Sequence, residues 1–239
     1  MSSRDEKPTA VLSAPGRIPR PHGGNDCSGT ERVQELRDAH LFLALLASRG
    51  STAIGEWISL GPDIPLSDVG PGLYGMGERG EIRHVPHSVT PEQIRVVGES
   101  YRTFKALTPD AQDHLRIPLR RLNRAKDRAS TTDSAIELGI ALESLFLAED
   151  EQDELGYRLR TRAARLLETE PGARHTAADL VRDLYRIRSM AVHRGRLGAK
   201  VSKRPIGDLL HDGYGFTARA IEKTIHQGGQ IDWAAFDLS

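Results

Sequence analysis

The sequence predicts an all-α helical bundle, and three observations carry that prediction. Between Asp179 and Gly195, Leu180, Leu184, Ile187 and Ala191 recur at helical spacing, and Val181, Tyr185 and Val192 widen the same apolar stripe. From Asp133 to Ala148, Ala135, Ile136, Leu138, Ile140, Ala141, Leu142, Leu145, Phe146 and Leu147 cover nearly the whole circumference of a helix, as expected of one packed on several sides. Thr90-Pro91-Glu92 and Thr108-Pro109-Asp110 each combine an N-cap threonine with a proline at the first helical position, two clear helix starts.

Composition narrows the class further. The chain has 239 residues, 38% hydrophobic and 28% charged, enough for one large helical domain or for one domain with an extension. Its net charge is zero, so no global field draws it to nucleic acid or membrane. Cys27 is the only cysteine, which excludes an internal disulfide framework and a cysteine-based zinc cluster. No run reaches the ~18 apolar residues of a membrane span, and no secretory h-region opens the chain. The expected location is the cytoplasm, with no membrane contact.

Taken in order, the chain divides into a tail over 1–30, a helical and loop extension over 31–90 and a helical domain over 91–239. Residues 1–30 carry Pro8, Pro15, Pro19, Pro21 and several glycines, too few apolar groups to offset chain entropy, so disorder is expected. Arg17, Arg20 and His22 there are able to touch phosphate, but a floppy tail is the plainer reading. Val33, Leu36, Leu41, Phe42, Leu45 and Leu46 predict a helix over Glu31–Arg49, stopped by Gly50, and Ser51–Ser59 reads as a short helix around Trp57. Gly61–Pro86 has no sustained period and reads as a long loop or a small excursion. Its His84 and His87 lack a carboxylate-and-histidine pattern and read as ordinary loop residues.

The Thr90 helix runs to about Leu107 on Ile94, Val97, Tyr101 and Phe104. The Thr108 helix carries Leu115, Ile117, Leu119 and Leu122, with Pro118 expected to kink or split it. Arg116, Arg120, Arg121, Arg124, Lys126 and Arg128 form its exposed side, either a solvated face or an RNA-contacting one. Glu137 and Glu143 lie within the apolar 133–148 helix, where an ionised carboxylate is costly unless paired. After an acidic turn from Glu149 to Glu154, Leu155–Leu167 is amphipathic, with Leu155, Leu159, Ala163 and Leu166 inward and Arg158, Arg162 and Arg165 along a flank. Gly195 suits a helix C′ position, Gly198–Ser202 reads as a loop, and Pro205 to about His226 as a last long helix that Gly213 and Gly215 bend. Ile231–Phe236 is a short apolar tail with either the bundle or a second subunit as its seat.

Charge is unevenly arranged although its sum is zero. Between Arg182 and Arg204 the charges are Arg182, Arg186, Arg188, Arg194, Arg196, Lys200, Lys203 and Arg204, against Asp183 alone. A basic end around His193 is what binding a phosphate backbone requires. The competing reading is mutual neutralisation with the acidic 133–154 stretch.

Arg188-Ser-Met-Ala-Val-His193 resembles the Arg-x4–6-His motif of HEPN domains, and Leu-Tyr-Arg-Ile-Arg-Ser…Val-His-Arg-Gly is similar to their Apea-like branch. Asp133-Ser-Ala-Ile-Glu-Leu-Gly-Ile-Ala-Leu-Glu143 resembles a second block of that branch, and Tyr157-Arg…Arg-Ala-Ala…Leu-Leu167 a third, so the likeness covers roughly 91 to 225. Residues 31–90 match nothing recognised. The resemblance implies an all-α, dimeric HEPN-like bundle and a metal-independent endoribonuclease acting as a toxin or antiviral defence effector. No cofactor is implied, and the partners are RNA and a second copy, with any antitoxin or other partner protein undefined.

In that chemistry His193 moves the proton of the 2′-hydroxyl or of the leaving 5′-oxygen, and Arg188 holds the phosphoryl oxygens. Five residues at about 100° each set Arg188 and His193 about 140° apart on one helix, so the resemblance implies a composite site across a two-fold axis. Ser189 follows Arg188 where the active motif typically has Asn or Asp, yet serine still donates and accepts hydrogen bonds. Glu143 is the expected support that pairs with and aims Arg188, while Arg182, Arg186, Arg194, Arg196, Lys200, Lys203 and Arg204 are the expected RNA contacts. The other function class is a catalytically inactive HEPN module for dimerisation or for binding RNA or nucleotide, with Arg188 merely the counter-ion of Glu143.

Overall fold

The computed structural model describes residues 28–46, 56–58, 72–74, 90–128, 130–148, 151 and 153–238. Among these the chain is mostly helical, with eight α-helices, one short 3-10 turn and two minimal antiparallel ladders. Residues 1–27 and the loop histidines His84 and His87 lie outside the described residues. The chain divides into two compact units, Met1–Ala39 and His40–Ser239. In the first, the described part belongs to helix α1 (Ser28–Phe42), where Gln34 donates to Asp38 at 2.9 Å one turn on.

The second unit holds the rest. Its helices are α2 (Pro91–Lys105), α3 (Pro109–Asp127), α4 (Thr131–Phe146), α5 (Leu155–Leu167), α6 (Pro171–Arg194), α7 (Ile206–His226) and α8 (Trp233–Leu238). Both expected threonine caps form. Thr90 and Gln93 exchange side-chain and backbone bonds in a full capping box, and Thr108 Oγ1 accepts from the Ala111 N–H. α4 is the central helix, packed against α3, α5, α6 and α7, with Leu138, Ala141, Leu142, Leu145 and Phe146 at 2% exposure or less. That agrees with the circumferential apolar pattern, because a helix with neighbours on every side has no face to leave polar.

Several expectations are corrected. Glu56–Ile58 is a strand (β1), not a helix, and pairs antiparallel with Gly72–Tyr74 (β2), Trp57 opposite Leu73. Trp and Ile favour strands, and three residues are too few to reveal a period. The first helix starts at Ser28 and passes into a 3-10 turn at Leu43–Leu45. Pro118 does not split α3, which runs unbroken from Pro109 to Asp127. The lost backbone bond costs about 3 kcal/mol, and the packing of α3 on α4 and α7 offsets it. The segment after α6 is a hairpin, β3 (Lys200–Val201) with β4 (Arg204–Pro205), not a loop. Gly213 and Gly215 lie in an unbroken α7, and a Cβ at Gly213 would sit 2.8 Å from Leu138 and Leu184 side chains. Gly213 is there for close helix packing.

The arginine side of α3 is only partly exposed. Arg121 and Arg128 reach the buried Glu137 at 2.8 and 3.1 Å, Arg116 stacks over Phe104, and Lys126 donates to the Ala44 carbonyl. Burial pushes Lys126 down to about 8. Arg120 alone of that set is exposed. The Arg158–Arg162–Arg165 flank is likewise covered. Arg162, 1% exposed, donates to Glu151, Asp237 and the Phe146 carbonyl and lies over Trp233. Arg165 donates to the Phe236 carbonyl and lies over its ring. The apolar C-terminal tail is thus helix α8, seated on this chain's own α4 and α5 side chains.

Candidate functional site

Helix α6 carries the site. Ala177, Val181, Leu184, Ile187 and Ala191 bury one stripe, which fixes the rotation of the helix and so the direction of every other residue on it. Gly195 takes φ 63° and returns its N–H to the Ala191 carbonyl, ending the helix as expected of a C′ glycine.

Arg188 points toward α4. Its aliphatic stem crosses Gly139 so closely that a Cβ there would lie 2.8 Å from the Arg188 Cβ, and its Nη2 donates to Glu143 Oε2 at 2.9 Å. Gly139 and Glu143 are one turn apart on α4, one admitting the stem and the other anchoring the head. Arg188 and Glu143 are half-buried, with side chains 27% and 23% exposed. Burial pushes the Glu143 carboxyl above the usual range, and the Arg188 charge and hydrogen bond oppose that rise. The Arg188 Nε is buried without a hydrogen-bond partner among the described residues. The contact with Glu143 therefore leaves the buried Nε–H unused.

His193 is exposed in the last turn of α6, and Ser189, beside Arg188, is half-buried. Within one chain, then, Arg188 faces α4 while His193 faces outward. The residue sharing the His193 face is Arg186, seven positions back and within about 20° of it on a regular helix.

The expected RNA contacts separate into two groups. Arg182 is engaged by Asp179 at 2.6 Å and Asp183 at 3.4 Å, and Arg204 by Asp212. Arg186, Arg194, Arg196, Lys200 and Lys203 are exposed and have no acidic partner among the described residues. Lys200 and Lys203 sit on the hairpin, whose Ser202 (φ 48°) and Lys203 (φ 67°) form its two-residue turn. Buried Val201 and a 3.1 Å bond from Ser202 Oγ to Asp183 Oδ1 tie the hairpin to α6. Gly195 sends the chain back along α6, and Met190, Arg194, Arg196, Leu197 and Gly198 line a groove there.

Sequence reasoning missed the hairpin, the groove and the Glu151–Arg162–Asp237 cluster. Asp237 lies 75 residues from Arg162, and no local pattern announces such a pairing. Among the described residues no group of three or more His, Cys, Asp or Glu side chains is arranged to hold a metal ion, and no helix is long and apolar enough to cross a membrane. Compared with family models, curated proteins and solved structures, the chain finds no match.

Proposed function

We propose that the chain is a HEPN-type endoribonuclease that works without a metal ion, as a homodimer, in a toxin or antiviral defence role. The observation that supports this reading is the pairing, on one helix, of a guanidinium fixed by Glu143 and a solvent-facing imidazole five residues on. A guanidinium held in one place is suited to hold a phosphoryl group whose charge grows in the transition state. An exposed His is suited to move protons. In the reaction the 2′-hydroxyl loses its proton to one imidazole and its oxygen bonds to phosphorus. The P–O5′ bond breaks, and the departing oxygen takes a proton from water, which the imidazolium then restores. The product is a 2′,3′-cyclic phosphate and a 5′-hydroxyl. Five exposed cations around His193 supply attraction for the backbone.

The engagement of Arg188 by Glu143 favours a second reading, a silent HEPN module whose Arg188 only balances a half-buried carboxylate. One experiment separates them. Purified protein in excess EDTA should cut RNA but not DNA, leaving cyclic phosphate ends, and His193→Ala should lower the rate ~100-fold or more with unchanged melting. A chain that folds, dimerises and leaves RNA whole supports the silent module instead.

A further inference from the structure

The groove beside the end of α6 plays no part in the proton-transfer scheme. It is an open surface groove of about 410 Å³. Met190 and Leu197, both half-buried, give it an apolar floor, and the exposed Arg194 and Arg196 give it cationic walls. Along α6 its wall begins at the residue after His193. The same charge continues outside it through Arg186 and the hairpin lysines Lys200 and Lys203. Because Ser202 and Val201 hold the hairpin against α6, these cations form a fixed track and not a set of independent tethers.

We propose that this groove seats one unpaired base of a single-stranded RNA beside the bond to be cut. The inference rests on the ribonuclease reading and narrows its substrate to unpaired RNA. A base has an apolar face for Met190 and Leu197 and a π-system on which a guanidinium stacks. The phosphates on either side of it then lie among Arg186, Arg194 and Lys200. A peptide anchor would use the floor but leave five cations uncompensated, and a bare phosphate would use the cations but not the floor. A base inside a duplex is stacked on both faces and must leave the helix to enter.

The test uses the His193→Ala chain, so that RNA survives, with anisotropy of a labelled short single-stranded RNA and of the same strand in a duplex. The single strand should bind ~10-fold tighter, since one seated base supplies stacking that the duplex withholds. Leu197→Ser should erase most of that preference and leave duplex binding unchanged, and Arg196→Ala should erase it while weakening both forms, the single strand by more. Arg196→Ala should also reduce the salt slope of single-strand binding by about 0.7. Equal binding of both RNA forms, or variants that bind as their parent does, would overturn the groove assignment while RNA cleavage by the unmodified chain still stood. Absence of both binding and cleavage would overturn the ribonuclease reading and the groove with it. Arg196 is exposed, so its variant decides the matter even if Leu197→Ser does not fold.

Discussion

The physics of single side chains is sharpest at two ion pairs that titrate in opposite senses. Burial raises Glu143, so the folded chain holds that proton more tightly than the unfolded one. Its ionised form weighs against folding as pH climbs from the ordinary carboxylate value to the raised one. Glu151 does the reverse, because hydrogen bonds from Arg162 hold it down to about 2. Its contribution is complete above its ordinary 4.5 and is lost as pH falls toward about 2. Melting temperature followed from neutral to acid pH should therefore fall less steeply in Glu151→Gln than in the parent, and parallel curves would refute the assignment. Arg162→Ala strands Glu151 and Asp237 and should cost about 3 kcal/mol by denaturant titration, with little recovery in Arg162→Lys, whose ammonium cannot serve three acceptors as a planar fork does. Gly139→Ala sets two effects against each other. Alanine favours a helix by about 1 kcal/mol over glycine, but the new Cβ meets the stem of Arg188 near its backbone, where it cannot swing away. The clash should win, lowering both melting temperature and any RNA cleavage. A stabilised variant would show that Arg188 lies elsewhere.

Whole elements differ in how plainly the sequence announces them, and the reason is range. Thr90 and Thr108 cap within three residues, Gly195 ends α6 through its own φ, and α4 displays its burial in its own composition, so each is legible locally. The Glu143–Arg188 pair was legible too, since a carboxylate on an apolar helix demands a cation. What stayed hidden depends on distant chain. The arginine flank of α5 looks solvated until α8 covers it, and β1 has meaning only opposite β2. The groove exists because Gly195 turns residues 196–198 back on α6, which no periodicity reports. Centrality of α4 predicts that Leu142→Asp, at 0% exposure, abolishes soluble folding, because it buries an unpaired charge amid four neighbouring helices. A soluble variant of unchanged helicity by circular dichroism would remove α4 from the centre.

Under the ribonuclease reading proposed above, the whole molecule must bring Arg188 and His193 to one phosphate although the first faces α4 and the second faces solvent. About 140° separates them on a regular helix, and α6 is continuous through both, so no kink brings them together. On that reading a second copy related by a two-fold axis is required, so that each chain's His193 meets the other chain's Arg188. Light scattering at high micromolar concentration should accordingly report a dimer. The decisive measurement is complementation. Arg188→Ala and His193→Ala should each be inactive alone, because every composite site lacks one partner. When the two are unfolded, mixed and refolded together, half the dimers are mixed, and one of the two sites in each regains both an intact Arg188 and an intact His193. About a quarter of the unmodified cleavage rate should return. A site built within one chain regains nothing on mixing, because no single chain then carries both groups. Mixed dimers that form but stay inactive would therefore sink the composite arrangement.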